Sequence, residues 1–356
     1  MDDKYLLELI GREPIELKDC GIEDFIKGKK ILVTGGGGFI GSQLCRTAAE
    51  YFPKKITVLD IYENNAYMLQ QELMMKYGDK IDSEIYITTV CDRAVLEKIF
   101  EKEKPDIVIH AAAHKHVPLM EKVPAEAVKN NVLGTINVVE LSEKYFVKNF
   151  ILISTDKAVN PSNVMGITKR ICEMIVQNKA KSCSNTIFSS VRFGNVAGSS
   201  GSVIPLFREQ MKTGKITVSH PDMDRYFMTA SEAAQLVLLA GSMTEGGEIF
   251  VLNMGKPVKI VDIAKKMIEL GELENEVEIV YTEPRPGEKL KEEFLLAEEG
   301  LKKTLNDKIF IGSPIDFDEK LFNRNLAELF NEVNSKNFSN EKILALLKKA
   351  VSQYNY

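Results

Sequence analysis

The chain has 356 residues, an apolar fraction of 44% and a net charge of −5 at neutral pH, enough for one large or two modest domains around a sizeable core. That balance gives no general attraction to nucleic acid or anionic membrane, and no apolar run approaches the ~20 residues of a membrane span. The five cysteines are scattered and odd in number, which fits reduced cytoplasmic thiols better than a disulfide framework or a metal site.

The start, Met1-Asp2-Asp3-Lys4, lacks the basic residues and apolar core of a signal peptide. Tyr5, Leu6, Leu9 and Ile10 predict a short amphipathic helix ended by Gly11. Residues 1–28 form an arm that contacts a neighbouring subunit or a lid on its own domain; the sequence favours neither. Lys30 to Thr34 is a buried strand running into Gly35-Gly36-Gly37-Gly38-Phe39-Ile40-Gly41. Gly35, Gly38 and Gly41 stand between that strand and an amphipathic helix, the context a pyrophosphate-binding turn requires. The strand from Lys55 ends in Asp60, which can accept ribose hydroxyls or cap the next helix. No arginine follows closely, which favours NAD over NADP.

A third strand, Glu84 to Val90, leads to Asp92 and Arg93. Asp92 faces an adenine amino group or caps the helix from Ala94 to Phe100. A fourth strand, Asp106 to His110, opens into Ala111, Ala112 and Ala113, small enough for backbone to lie against a flat cofactor. His110, His114 and His116 have no acid or thiol at ligand spacing, so no metal is expected. A helix from Pro124 to Tyr145 carries Asn131. Phe150 to Ile153 is a fifth strand, with Thr155, Asp156 and Lys157 at its carboxyl end, where open α/β sheets place ligands. The acid and the amine together could act as proton donor and acceptor. Asn160-Pro161 ends the turn. Ser162 is expected to cap a helix that puts Met165 and Lys169 on one face. Thr186 to Phe193 is another strand, ending near Asn195. Arg225 and Arg285 lie on loops and suit a diphosphate, which guanidinium binds with forked geometry; either could be a surface ion pair instead. The tail is expected to be helical, with Ser339 capping a last helix.

Strands alternating with helices predict an α/β fold, a doubly wound parallel Rossmann sheet with a smaller C-terminal substrate-binding α/β region. The expected divisions are 1–28, an arm; 29–194, dinucleotide binding with the catalytic loop and helix; 195–300, mainly substrate binding; and 301–356, a helical tail.

Together, Thr34 to Gly41, His110 to Glu121, Asn131 to Thr135, Ser154 to Lys169, Val191 to Gly198, His220 to Thr229 and Arg285 to Leu290 resemble an extended short-chain dehydrogenase/reductase. More narrowly they resemble the bacterial polysaccharide-biosynthesis UDP-N-acetylglucosamine 4,6-dehydratases. Long members of that family carry a membrane region before this module. Gly11-Arg12-Glu13-Pro14 resembles the junction, so a stand-alone soluble cytoplasmic form and a homo-oligomer are expected.

The resemblance implies NAD held by Gly35, Gly38, Phe39, Ile40, Gly41, Asp60, Asp92, Arg93, Ala111, Ala112, Ala113, Asn131 and Lys169. It implies UDP-N-acetylglucosamine held by His114, Lys115, Asn195, Arg225, Arg285 and Glu288. The reaction implied is oxidation at C4, removal of the C5 proton by Lys157, loss of the 6-hydroxyl with a proton from Asp156, and reduction at C6. Thr155 would bond the C4 oxygen. Lys157 would need a depressed pKa, for which Lys169 and the nicotinamide charge are the expected causes. The family usually has Tyr-x-x-x-Lys on the catalytic helix; here Met165 replaces the tyrosine and Lys169 is kept. The acceptor of the C4 hydroxyl proton therefore stays open among Asp156, Thr155 and a water relay. A branch resembling this sequence has methionine there and retains configuration at C5. C5 inversion, a UDP-sugar 4-epimerase and a non-catalytic NAD-binding regulator are the alternatives.

Overall fold

The computed structural model describes residues 1–15, 21–285, 287–293, 300–304, 306–312 and 317–351. Apolar runs with no exposed face demand a parallel sheet covered on both sides, and such a sheet forms. Its strands are β1 (Lys30–Thr34), β2 (Lys55–Asp60), β3 (Asp82–Ile87), β4 (Ile107–His110), β5 (Asn149–Ile153), β6 (Ile187–Arg192), β7 (Ile249–Leu252), β8 (Leu301–Lys303) and β9 (Ile309–Gly312). The order across the nine-stranded sheet is β8-β9-β7-β6-β5-β4-β1-β2-β3. β1 to β7 pair in parallel, and β9 pairs antiparallel with both β7 and β8. The fold is the expected doubly wound α/β fold. Its direction of winding reverses between β1 and β4, so a crevice opens beyond their carboxyl ends. Register aligns those ends: Thr34 lies beside His110, and His110 beside Leu152.

Alternation along the strands supplies two cores. Leu32, Val108, Phe150 and Leu152 face one side, under helix α3 (Val164–Ser182). Ile31, Val33, Ile109 and Ile151 face the other, under α2 (Phe39–Ala49) and α4 (Ala230–Ser242). β3 begins and ends earlier than the sequence predicts, because it follows β2, whose end residues Lys55 and Asp60 pair with Asp82 and Ile87. Three further differences concern the proposed divisions. β7 returns from the substrate-binding stretch into the main sheet. The tail is not wholly helical: β8 and β9 extend the sheet before α6 (Glu319–Val333) and α7 (Asn340–Val351). Those two helices then pack Phe322, Leu326, Ile343 and Leu347 into the core that contains Ile171 of α3. The Ser339 hydroxyl does accept from Lys342 N at 3.4 Å at the start of α7.

The N-terminal helix α1 (Asp3–Ile10) ends at Gly11 in the left-handed region, as expected. It settles on its own chain. Leu6, Leu9 and Ile10 join a third core with Ile204, Phe207 and α5 (Ile260–Leu270). Each buried side chain of this size contributes roughly 1.5–3 kcal/mol relative to exposure. Arg12 then donates to Phe227 O and Met254 O at 3.0 and 3.2 Å and ion-pairs with Glu232, whose carboxylate also completes the capping box of α4. Among the described residues no helix is long and apolar enough to cross a membrane.

Candidate active site

The crevice at the reversal is a cleft of about 690 Å³, lined on one wall by Gly35, Gly38, Phe39, Ile40, Gly41, Ala111 and Ala113. Gly35 has φ +66°, and a Cβ there would lie 2.7 Å from Ala112 N. A Cβ at Gly41 would lie 2.1 Å from Gly35 O, so this turn cannot close with larger residues. No side chain caps α2, which leaves its first N–H groups and positive dipole end available to an anion. Asp60 stands behind the turn, its Oδ2 accepting from Gly37 N at 2.9 Å and its Oδ1 from Tyr62 N at 2.8 Å. It shapes the glycine turn as well as ending β2.

Asp92 and Arg93 do not line this cleft. Asp92 caps the helix Arg93–Glu103 by accepting from Val95 N at 3.1 Å, and Arg93 is exposed and paired with Glu140. Asn131 is also off the cleft wall. It lies in a π-helical turn, Val128–Leu133, within the helical stretch the sequence predicts. Its Oδ1 accepts from His114 N at 2.8 Å, and its Nδ2 donates to His114 O and Thr168 Oγ1 at 3.1 and 3.0 Å. Asn131 thus fastens the loop after β4 to α3. His110 is fully enclosed between Thr34 Oγ1 at 2.6 Å and Thr135 Oγ1 at 3.0 Å. Burial, then the charge of Lys169, lowers its pKa to about 3, so it is a neutral structural bridge.

Beyond β5 the chain makes a short 3₁₀ turn, Asp156–Ala158. Thr155 and Lys157 line the cleft; Asp156 lies behind them and is 1% exposed. Asp156 Oδ1 accepts from Thr155 Oγ1 at 2.8 Å and Lys157 Nζ at 3.0 Å. Its buried Oδ2 has no partner among the described residues. Lys157 Nζ also reaches Asn195 Oδ1 at 3.2 Å and lies 3.7 Å from Glu292 Oε1. The expectation of a depressed Lys157 pKa is corrected here. Burial pushes it down, but the carboxylates of Asp156 and Glu292 outweigh burial and raise it. Burial instead lowers the pKa of Lys169, against the opposing pull of Cys172 and Glu173.

The helix that carries Met165 and Lys169 is capped by Asn163, not by Ser162: Asn163 Oδ1 accepts from Gly166 N at 2.8 Å. Ser162 Oγ instead donates to Gly287 O at 3.2 Å. Met165 and Lys169 both line the cleft, and both are nearly buried. Behind them Glu173 joins α3 to β6 and to the end of β5. It accepts from Ser154 Oγ, Arg192 and Arg170 at 2.6 to 3.0 Å.

The cleft is also lined by His114, Lys115, Asn195, Arg225, Arg285 and Glu288. Burial, then the charge of Lys157, lowers the Lys115 pKa. Arg225 is 6% exposed. It donates to the carbonyls of Asp224, Leu290 and Lys289 at 2.6, 3.0 and 2.7 Å, so much of its fork already binds protein. Arg285 is exposed, and its backbone N–H, not its guanidinium, meets Glu288 at 3.0 Å. Pro286 of the same loop lies outside the described residues. Sequence reading missed Glu292 and Glu173. Neither stands at a strand end, and each meets its partners only in the folded chain.

Residues 31–314 match a family described as polysaccharide biosynthesis protein. The chain belongs to that family. Its relatives include the capsular polysaccharide biosynthesis protein CapD of Staphylococcus aureus, 48% identical over 95% of this chain and 56% of that protein. Another is the probable polysaccharide biosynthesis protein EpsC of Bacillus subtilis, 49% identical over 92% of this chain and 54% of that protein. The chain thus spans about half the length of these relatives. A UDP-glucose 4-epimerase of Rickettsia akari is 35% identical over 77% of this chain and 80% of that protein. Among solved structures, Pen from Bacillus thuringiensis has a TM-score of 0.75 and 35% identity, covering 82% of this chain and 89% of Pen. The relatives and the winding of the sheet place the chain among the extended short-chain dehydrogenase/reductases.

Proposed function

We propose that the chain is an NAD-dependent UDP-N-acetylglucosamine 4,6-dehydratase that retains configuration at C5. The observation that carries this reading is the Thr155–Asp156–Lys157 cluster: Thr155 and Lys157 line the same cleft as the uncapped glycine turn, and Asp156 bonds both from behind. The fit to a dinucleotide rests on the glycines at Gly35 and Gly41, which no side chain could replace, and on the small wall of Ala111 and Ala113. Bound NAD would supply a reversible hydride acceptor. Gly35 to Gly41 would bind its pyrophosphate, Asp60 its adenosine ribose, and Lys169 its nicotinamide ribose.

The chain's own residues then handle protons and position. Thr155 bonds the C4 oxygen, Lys157 as a free amine takes the C5 proton, and Asp156 in its acid form protonates the departing 6-hydroxyl. Arg285 is the more open of the two arginines for the UDP diphosphate, with Arg225, Asn195, His114, Lys115 and Glu288 completing the cleft lining. Met165 offers no proton to the face opposite Lys157, so the proton returns from the side it left. A UDP-sugar 4-epimerase would share the cofactor site but has no use for the Asp156–Lys157 pair. Incubation with UDP-N-acetylglucosamine separates the readings: loss of water supports the dehydratase, and a 4-epimer without water loss refutes it.

A further inference from the structure

We propose that Glu292 is a positioning residue for the elimination: from the 287–293 segment it holds Lys157 charged against Asp156 while the cleft is empty. The consequence for catalysis rests on the dehydratase reading; the contact itself does not.

The segment is tied down on two sides before it reaches Glu292. Asn163 Nδ2 donates to Gly287 O at 3.1 Å and Ser162 Oγ to the same oxygen at 3.2 Å. Lys289 Nζ donates to Val159 O at 3.2 Å. From the other side Asp224 N donates to Leu290 O at 3.2 Å, and Arg225 holds the carbonyls of Lys289 and Leu290. Glu292 follows, 9% exposed, with Oε1 3.7 Å from Lys157 Nζ and 3.8 Å from Arg225 Nε. The charged groups facing Lys157 are therefore Asp156 on its own loop, Glu292 on the 287–293 segment, Arg225 beside that segment, and Lys115 on the loop after β4. Asn195 is its neutral acceptor.

Two carboxylates against one amine favour the ammonium form, and a single opposite charge at this range holds a group in its charged form by about one to three pH units. The elimination needs the reverse: an amine at Lys157 and an acid at Asp156. The proton required is already within the pair. Its transfer along the 3.0 Å contact from Nζ to Oδ1 turns ammonium and carboxylate into amine and acid, with no proton gained or lost. The charge of Glu292 opposes that transfer, because it stabilises the ammonium more than the amine. A turn of the carboxylate toward Arg225, already 3.8 Å away, would weaken the opposition by lengthening its distance to Lys157.

The test uses the full chain with Glu292→Gln, which keeps the shape and removes the charge, and with Glu292→Asp, which keeps the charge. Thermal melting checks that both fold. Acetic anhydride labelling of Lys157 across pH, followed by peptide mass spectrometry, reads the amine without requiring turnover. The half-labelling pH should fall by about one unit or more in Glu292→Gln and stay near wild type in Glu292→Asp. With UDP-N-acetylglucosamine, the limb of the pH profile of kcat/KM that reports Lys157 should move the same way. A labelling profile in Glu292→Gln that superimposes on wild type overturns the proposal. A shifted label in a protein whose wild type eliminates no water supports the contact and sinks the dehydratase reading instead.

Discussion

Glu173→Gln tests whether the buried charge cluster behind the catalytic helix holds the site together. Glu173 has no exposed surface, and its two oxygens accept from Ser154, Arg192 and Arg170. Burial pushes its pKa up, but Arg192, then Arg170 and Ser154, bring it from 4.5 to about 2. At ~1.36 kcal/mol per unit this shift is worth about 3 kcal/mol. The sign follows from the direction. The folded value lies below the unfolded one, so the stability is fully present above pH 4.5 and is lost as pH falls toward 2. At neutral pH, glutamine removes the charge that both guanidinium groups bind, and breaking such a buried pair costs about 3–5 kcal/mol. Urea unfolding should give a lower midpoint with an unchanged slope at pH 7. Between pH 4.5 and 3 the wild type should lose stability more steeply than the variant. An unfolding free energy within about 0.5 kcal/mol of wild type, or parallel acid profiles, would refute the reasoning.

Lys157→Ala should abolish washing of solvent deuterium into C5, read by mass spectrometry of recovered nucleotide sugar; exchange at the wild-type rate removes Lys157 from the base role. Asp60→Ala should weaken NAD binding and relax discrimination against NADP in calorimetric titrations, and unchanged affinity for both would confine Asp60 to holding Gly37 and Tyr62. Arg285→Ala should weaken UDP binding by roughly 1.5–3 kcal/mol, the worth of a charge-assisted contact. Arg225→Ala should instead lower the melting temperature, because its donors hold Lys289 O and Leu290 O.

The strand–glycine turn–helix unit and the loop after β5 were legible because each is local: an apolar run, a break, and chemistry at the strand end. Met165 and Lys169 were placed on one face by spacing alone. The cap of their helix lies one residue beyond the expected Ser162: Ser162 and Asn163 are both good caps and both reach Gly287 O, and only the bond from Gly166 N to Asn163 Oδ1 decides between them. The side on which α1 packs was open, since its partners Ile204, Phe207 and Ile260 lie far along the chain. β8 and β9, of three and four residues, carry almost no periodicity, and no ligand-binding motif follows either to mark a strand end. The protonation of Lys157 departs furthest from what the sequence suggests. Its first cause after burial is a neighbour in sequence, but its second, Glu292, reaches it only through the fold.

The central claim is tested most directly by proton NMR of the fresh product from UDP-N-acetylglucosamine and the NAD-loaded protein. The account predicts UDP-2-acetamido-2,6-dideoxy-α-D-xylo-hexos-4-ulose, with C5 retained and no net release of NADH. Coupling constants of the L-arabino isomer as the initial product, before any slow epimerisation in solution, would contradict the role given to Met165. Recovery of a 4-epimer, or of unchanged substrate, would contradict the dehydratase itself.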